Sequence, residues 1–351
     1  MKRSMITTCI FTLLLTFSSC KEASRFENSS VISRDDFSKI RELTGIDVQF
    51  EDEVLRPTGL RVYEDLLFTI NTREKQMIHI YDLKSKQKIG ERISMGQGPT
   101  EMVDPSIVKI DDVSIHLFDM VTSKLLEFST KDFIENSNPQ PLRTVKIEKP
   151  TAGDVYRIGD QWVGAGFNPS SQFVLFDANG RATQEVGAYP VSDIAFSDQE
   201  KIEAYRFSFT TNAKDKILVC YNWTDLIDVL DKDGKLEKRM HGPSHFISEF
   251  KERNEGGMRG ASPVKDKTRD AFYSPISVGD DFFVLYNGRA EHEEGYSILA
   301  NEVFTFDKDG NPKDIYTLDQ GVFAIAVDSK NKTLYGICNT PEFHIVAYEY
   351  K

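Results

Sequence analysis

The chain has 351 residues, 40% of them apolar, and a formal net charge of −12. That acidity comes without any cluster of Lys and Arg, which argues against a nucleic-acid partner, because phosphate binding rests on grouped basic side chains. The N-terminal apolar run is too short for a membrane-spanning helix and no second run is long enough, and the length allows two ordinary domains or one large repeat fold.

In chain order, Lys2 and Arg3 are followed by an uncharged apolar run from Met5 to Phe17, then Ser18, Ser19 and Cys20. A basic start, a short apolar stretch and a small-residue exit read as a secretory signal over residues 1–19. The cysteine after two serines resembles a bacterial lipobox. The resemblance implies cleavage before Cys20, lipid on its thiol and new amine, and a place in the cell envelope, anchored to the outer membrane on its periplasmic or surface face. An ordinary signal with an incidental cysteine is the alternative. Membrane contact is then by lipid anchor only. Residues 20–44 read as a lipidated tether. Its first part, "KEASRFENSSVISRDDF" over 21–37, is polar and without apolar periodicity, so its removal is expected to change stability little.

From there the sequence repeats. An apolar strand ending in a turn residue recurs as "IHIYDLKSK", "KLLEFSTKD", "QFVLFDANG", "LIDVLDKDG", "EVFTFDKDG" and "FHIVAYEYK". Anchored on Asp82, Ser129, Asp177, Asp231, Asp307 and Glu349, the spacings are 47, 48, 54, 76 and 42. A period near 45–50 in β-forming sequence matches one four-stranded propeller blade. Two further strands precede each anchor strand, giving A, B and C, and a D strand follows in five repeats. The sixth lacks it. The unused strand "GIDVQFE" at 45–51 is therefore expected to pair beside 343–350, with Val48 and Phe50 on one face, closing the ring and covering an open edge. The fold class is all-β: a six-bladed β-propeller over 45–351, its last blade closed by an N-terminal strand.

With these repeats, the lipobox and "GQGPTEMVDP" at 96–105, the mature chain resembles the TolB-like six-bladed β-propeller lipoproteins of Bacteroidota. The resemblance implies fold and location and little chemistry.

Six B strands end in Asn71, Asp119, Asn168, Asn222, Asn287 and Asn339. In a propeller the B–C and D–A loops share one face, so these residues are expected to ring the channel mouth there, as a polar rim for a ligand or cation. Turn chemistry alone would produce the same pattern. Glu101 and Asp104 in the "GQGPTEMVDP" loop could reach a ligand or could satisfy loop amides. The longest loops belong to blade 5, around "NEGGMRGASPVKDK" and "NGRAEHEEGYS", where aromatic residues including Tyr286 stand with Arg259, Arg269 and Arg289 in a mix suited to an acidic or sugar-like partner. Arg206, at the head of the fourth A strand, completes the candidate ligand-binding set.

Catalytic signatures are absent: no G-x-S-x-G, no H-E-x-x-H. "HGPSH" spaces two histidines as a helix would, but Gly242-Pro243 oppose a helix. "DKDGK" and "DKDGN" lack the Gly and Glu of an EF-hand. Cys220 and Cys338 fall in non-adjacent blades, too far apart for a disulfide. The leading expectation is a non-catalytic, lipid-anchored propeller without a cofactor, binding a protein, small-molecule or glycan ligand on its B–C/D–A face. The rival is a propeller hydrolase or lactonase using Ca2+ held by Asn, Asp and Glu.

Overall fold

The computed structural model describes residues 24–151, 153–255 and 258–351. The signal segment 1–19 and Cys20 lie outside the described residues.

Six antiparallel sheets follow one another along the chain, each ordered A to D outward from a central axis. Blade 1 comprises Gly59–Tyr63, Leu66–Ile70, Gln76–Asp82 and Lys88–Ser94. Blade 2 comprises Pro105–Ile110, Ser114–Asp119, Lys124–Ser129 and Arg143–Lys146. Blade 3 uses Val155–Ile158, Gln161–Ala165, Phe173–Phe176 and Ala182–Val186. Blade 4 uses Phe207–Thr211, Ile217–Tyr221, Leu226–Leu230 and Leu236–His241. Blade 5 uses Phe272–Val278, Asp281–Tyr286, Ala300–Phe306 and Pro312–Val322. Blade 6 has only Ala324–Asp328, Thr333–Cys338 and His344–Glu349 from the C-terminal end. The B strands are mostly apolar because both their faces meet a neighbouring blade. Leu226–Leu230 includes Asp228, fully buried, and its charge is matched there by Arg239 at 2.6–2.7 Å and by the Tyr221 hydroxyl at 2.8 Å.

The core is six apolar clusters, one at each seam between blades. The N-terminal segment plugs four of them in turn. Phe26 joins the seam of blades 3 and 4, Ile32 and Phe37 that of blades 4 and 5, Leu43 that of blades 5 and 6, and Val48 and Phe50 that of blades 6 and 1.

For residues 24–37 this overturns the reading as a tether that adds little stability; residues 21–23 lie outside the described residues. Ser30–Val31 adds a fifth, parallel strand to blade 4. Lys39–Leu43 does the same on blade 5, in register with Asp314–Leu318. Phe37 stacks edge-on to Phe304 and Phe306, at centroid distances of 5.0 and 5.7 Å. Arg34 forks onto the Glu302 carboxylate at 2.6 and 3.0 Å. The expected ring closure is present but short: only Ile46–Asp47 pairs antiparallel with Ala347 and Val346, extended by the Val48 amide on the Ile345 carbonyl at 2.8 Å. Gly45 lets this approach happen, since a Cβ there would stand 2.3 Å from Val346 Cγ1.

Two helices and a hairpin were not expected. Thr130–Glu135 links strands C and D of blade 2. Asp198–Ala204 lies between blades 3 and 4 and starts in a capping box of Ser197 and Glu200. The long connection into blade 5 folds into the hairpin Phe250–Glu255 and Met258–Pro263.

Candidate functional site: the mouth of the central channel

The A strands wall the axis, and the channel they enclose widens into a cavity at each end. The cavity at the D–A/B–C end has a volume of about 530 Å³, the opposite one about 570 Å³, and Arg61, Tyr156 and Ile276 line both. At the D–A end the heads of successive A strands bring Asp104, Ser106, Asp154, Arg206 and Ser208 to one space, with Asn222 beside them.

These groups are unevenly satisfied. Asp154 accepts bonds from the Ser106 hydroxyl and, at 3.2 Å, from the Tyr156 hydroxyl. Burial pushes the Tyr156 hydroxyl far above the ordinary phenol range, with the Asp154 charge adding to it. Arg61 donates to the Leu60 carbonyl at 2.7 Å and sits beside the Tyr156 hydroxyl, yet among the described residues it forms no ion pair. No described donor reaches the Asp104 carboxylate. Its carboxyl is raised above the usual range, first by burial and then by the charges of Asp119 and Asp154. Arg206 is engaged with Glu203 at 2.6 Å but stays more than half exposed.

Of the six strand-ending Asx residues, only Asn222 lines the cavity. It donates to Ser208 Oγ at 3.2 Å and to the Phe272 carbonyl at 2.8 Å. Asp119 is fully buried and accepts from the amides of Val103 and Val121 and from the Thr122 hydroxyl. Asn71 is buried on Thr69. Asn168 opens a turn on the Ser170 amide, and Asn339 meets only Thr340. Asn287 ties its own loop through the Ser297 carbonyl and the Arg289 amide. The expected rim therefore does not converge. Strand B is the second strand out, so its end stands about 4.8 Å or more off the axis wall.

Glu101 folds back on the Gly98 amide at 2.8 Å. Tyr286 is buried, its hydroxyl on Ser244 Oγ at 2.8 Å. Arg289 bonds the Glu294 carbonyl at 3.0 Å within its loop. Each of the three is engaged by a neighbouring group of the chain. His241 and His245 each face a backbone carbonyl, and Cys220 and Cys338 are buried free thiols. Among the described residues no three His, Cys, Asp or Glu side chains gather to hold a metal ion. Arg61, Asp154, Ser106 and Tyr156 were missed from sequence. Arg61, Ser106 and Tyr156 lie within A strands and Asp154 directly precedes one, the innermost strand of each blade.

The blade-5 loops form a separate groove of about 710 Å³, lined by Trp223, Lys265, Asp266, Asp270, Glu291, His292 and Tyr296. Asp270 accepts the Tyr296 hydroxyl at 2.6 Å, and burial raises its carboxyl above the usual range.

Six blades of antiparallel strands about a channel with a polar-lined mouth define a β-propeller with an axial cavity. A family profile described as TolB-like 6-blade propeller-like matches residues 36–330, and the chain belongs to that family. Among solved structures, a DUF4221 family member from Bacteroides vulgatus aligns at 11% identity and TM-score 0.54, over 88% of this chain and 96% of its own. A protein named as exported from Bacteroides fragilis aligns at 10% identity and TM-score 0.54, over 91% and 99%. At such identities the likeness is one of fold. No curated protein matches the chain.

Proposed function

We propose that this chain is an exported, lipid-anchored propeller that binds a small polar or peptide-like ligand in the D–A mouth of its channel, without catalysis. One observation carries the reading. A cavity of about 530 Å³ holds a carboxylate that no described donor reaches, Asp104, and a guanidinium without a described acidic partner, Arg61. Both side chains are only partly buried, and charge-assisted hydrogen bonds are among the stronger ones, so such a pair is suited to a ligand that carries both donors and an anionic group. The exported protein of B. fragilis supports the location only as an analogy of fold.

The test is calorimetry with amino acids, dipeptides and oligosaccharides. A charge-assisted hydrogen bond is worth about 1.5–3 kcal/mol. Arg61→Ala and Asp104→Asn should therefore each weaken the binding of whichever compound binds by roughly tenfold or more. A bound compound indifferent to both changes would place the site elsewhere, the blade-5 groove with Trp223 being the first place to look for a glycan. The hydrolase reading keeps one supporting observation: Asp104, Asp154 and Asn222 offer oxygen ligands of the kind Ca2+ takes to a single cavity. Calcium titration in the same instrument, with no heat of binding, would remove it.

A further inference from the structure

Eleven large apolar side chains are exposed among the described residues, and six of them, Met95, Met120, Val121, Phe167, Val191 and Ile298, stand on loops of the D–A/B–C face. Val121, Phe167 and Val191 are 59%, 60% and 53% exposed, on the adjoining loops of blades 2, 3 and 4. Exposed apolar side chains grouped on one face are a mark of an interaction surface, and this face carries six of the eleven. The N-terminal segment arrives at the same rim. The Glu27 amide bonds the Val191 carbonyl at 3.0 Å, Phe26 bridges to Ser192, and Arg25 pairs with Asp193 at 2.9 Å. Cys20 precedes Ser24 by four residues, so even a fully extended chain lets the lipidated cysteine lie no more than about 14 Å from that rim.

We infer that the D–A/B–C face is turned towards the bilayer, with Val121, Phe167 and Val191 seated in its interfacial region and the channel mouth opening on the membrane side. The inference rests on the lipid-anchor reading above. The occupant of the apolar rim is the lipid surface, because a lipid on Cys20 would hold the bilayer within about 14 Å of the rim. The contact is apolar: a chain of net charge −12 gains nothing from the anionic headgroups that draw basic proteins to membranes.

The experiment uses the mature, lipidated protein in phosphatidylcholine–phosphatidylethanolamine vesicles. Single cysteines at Val121→Cys, Phe167→Cys, Val191→Cys and, on the opposite face, Val113→Cys carry an environment-sensitive fluorophore, while buried Cys220 and Cys338 stay unlabelled. Lipids spin-labelled near the headgroup serve as quenchers. The first three probes should be quenched at least threefold more than the Val113 probe, with no loss of quenching in high salt. Equal quenching at all four sites, or quenching abolished by salt, overturns the inference. So does shielding of the three probes in detergent by a dimer that Phe167→Ser disperses, since a second copy would then be the occupant. The anchor is judged separately. If Cys20→Ala protein sediments with membranes as the wild type does after signal cleavage, the lipoprotein reading fails and takes the inference with it. If the wild type alone sediments and the three probes stay bright, the anchor stands and only the orientation is wrong.

Discussion

The two halves of the N-terminal segment hold the ring in different ways. Residues 24–43 belt blades 4 and 5, with a five-residue parallel strand in register and three well-buried plugs, Phe26, Ile32 and Phe37. Residues 45–50 close blade 6 with two paired residues and two half-buried plugs, Val48 and Phe50, the latter 4.6 Å from the Tyr81 ring of blade 1. The half that resembles a strand makes the weaker attachment, and the half that resembles a tether makes the stronger. A propeller ring can therefore be fastened at its seams by single apolar side chains as well as by strand pairing at its edge.

The largest expected effect follows from truncation. A chain starting at residue 38 loses Phe26, Ile32 and Phe37, at about 1.5–3 kcal/mol each, so an upper limit near 5–9 kcal/mol. Val48→Ser combined with Phe50→Ser should cost less, roughly 2–4 kcal/mol, and should also promote association through the loosened edge of blade 6. Urea unfolding of both, with light scattering, checks the order. If the double variant proves the less stable, the comparison is reversed.

Single plugs sharpen it. Phe37→Ala should lower stability by about 3–5 kcal/mol, because its ring is enclosed by Phe304 and Phe306 and leaves a cavity. Phe50→Ala should cost about 1–3 kcal/mol, since its ring is only partly buried and the site can relax. Equal losses would mean that the two seams are equally tight.

The smallest effect is a pH dependence confined to the belt. His241 lies beneath its start, with Nδ1 3.3 Å from Ser24 Oγ and its ring 4.8 Å from Phe26. Burial, with His245 and Arg25 nearby and Asp193 opposing them, lowers the imidazole to about 4. The unfolded chain titrates near the ordinary value of about 6.5 and so binds more protons between those limits. Stability should therefore fall as pH drops from 6.5 towards 4 and lose nothing further from this group below that. His241→Asn should flatten that slope in unfolding measured between pH 7 and 5. An unchanged slope would assign the acid sensitivity to other groups.

The blades were legible because their B and C strands are rich in apolar β-formers and recur at a near-constant period, a pattern few other folds require. The Asp-led C–D turns were legible for a local reason: Asp231 and Asp307 each hold two downstream amides. The belt was not legible. Phe26, Ile32 and Phe37 are spaced six and five apart in polar sequence, matching neither strand nor helix, because each answers to a different seam. The helix at Asp198–Ala204 announced itself in "SDQE" and was overlooked. The polar rim was misplaced because the same Asx residue can end every B strand, whereas its distance from the axis depends on strand order within the blade.

By itself the sequence determined the blade count, the strand order and the missing outer strand of blade 6, since these follow from apolar periodicity and turn chemistry that act within a few residues. Only the tertiary structure decided which polar groups meet at the axis, and that Arg61 and Asp104 share a cavity without satisfying each other. It also decided that a polar segment becomes a belt along blades 4 and 5. Those outcomes depend on surfaces made by residues more than a hundred positions apart, such as Phe37 on Phe304 and Ser24 on His241, and no local pattern records them.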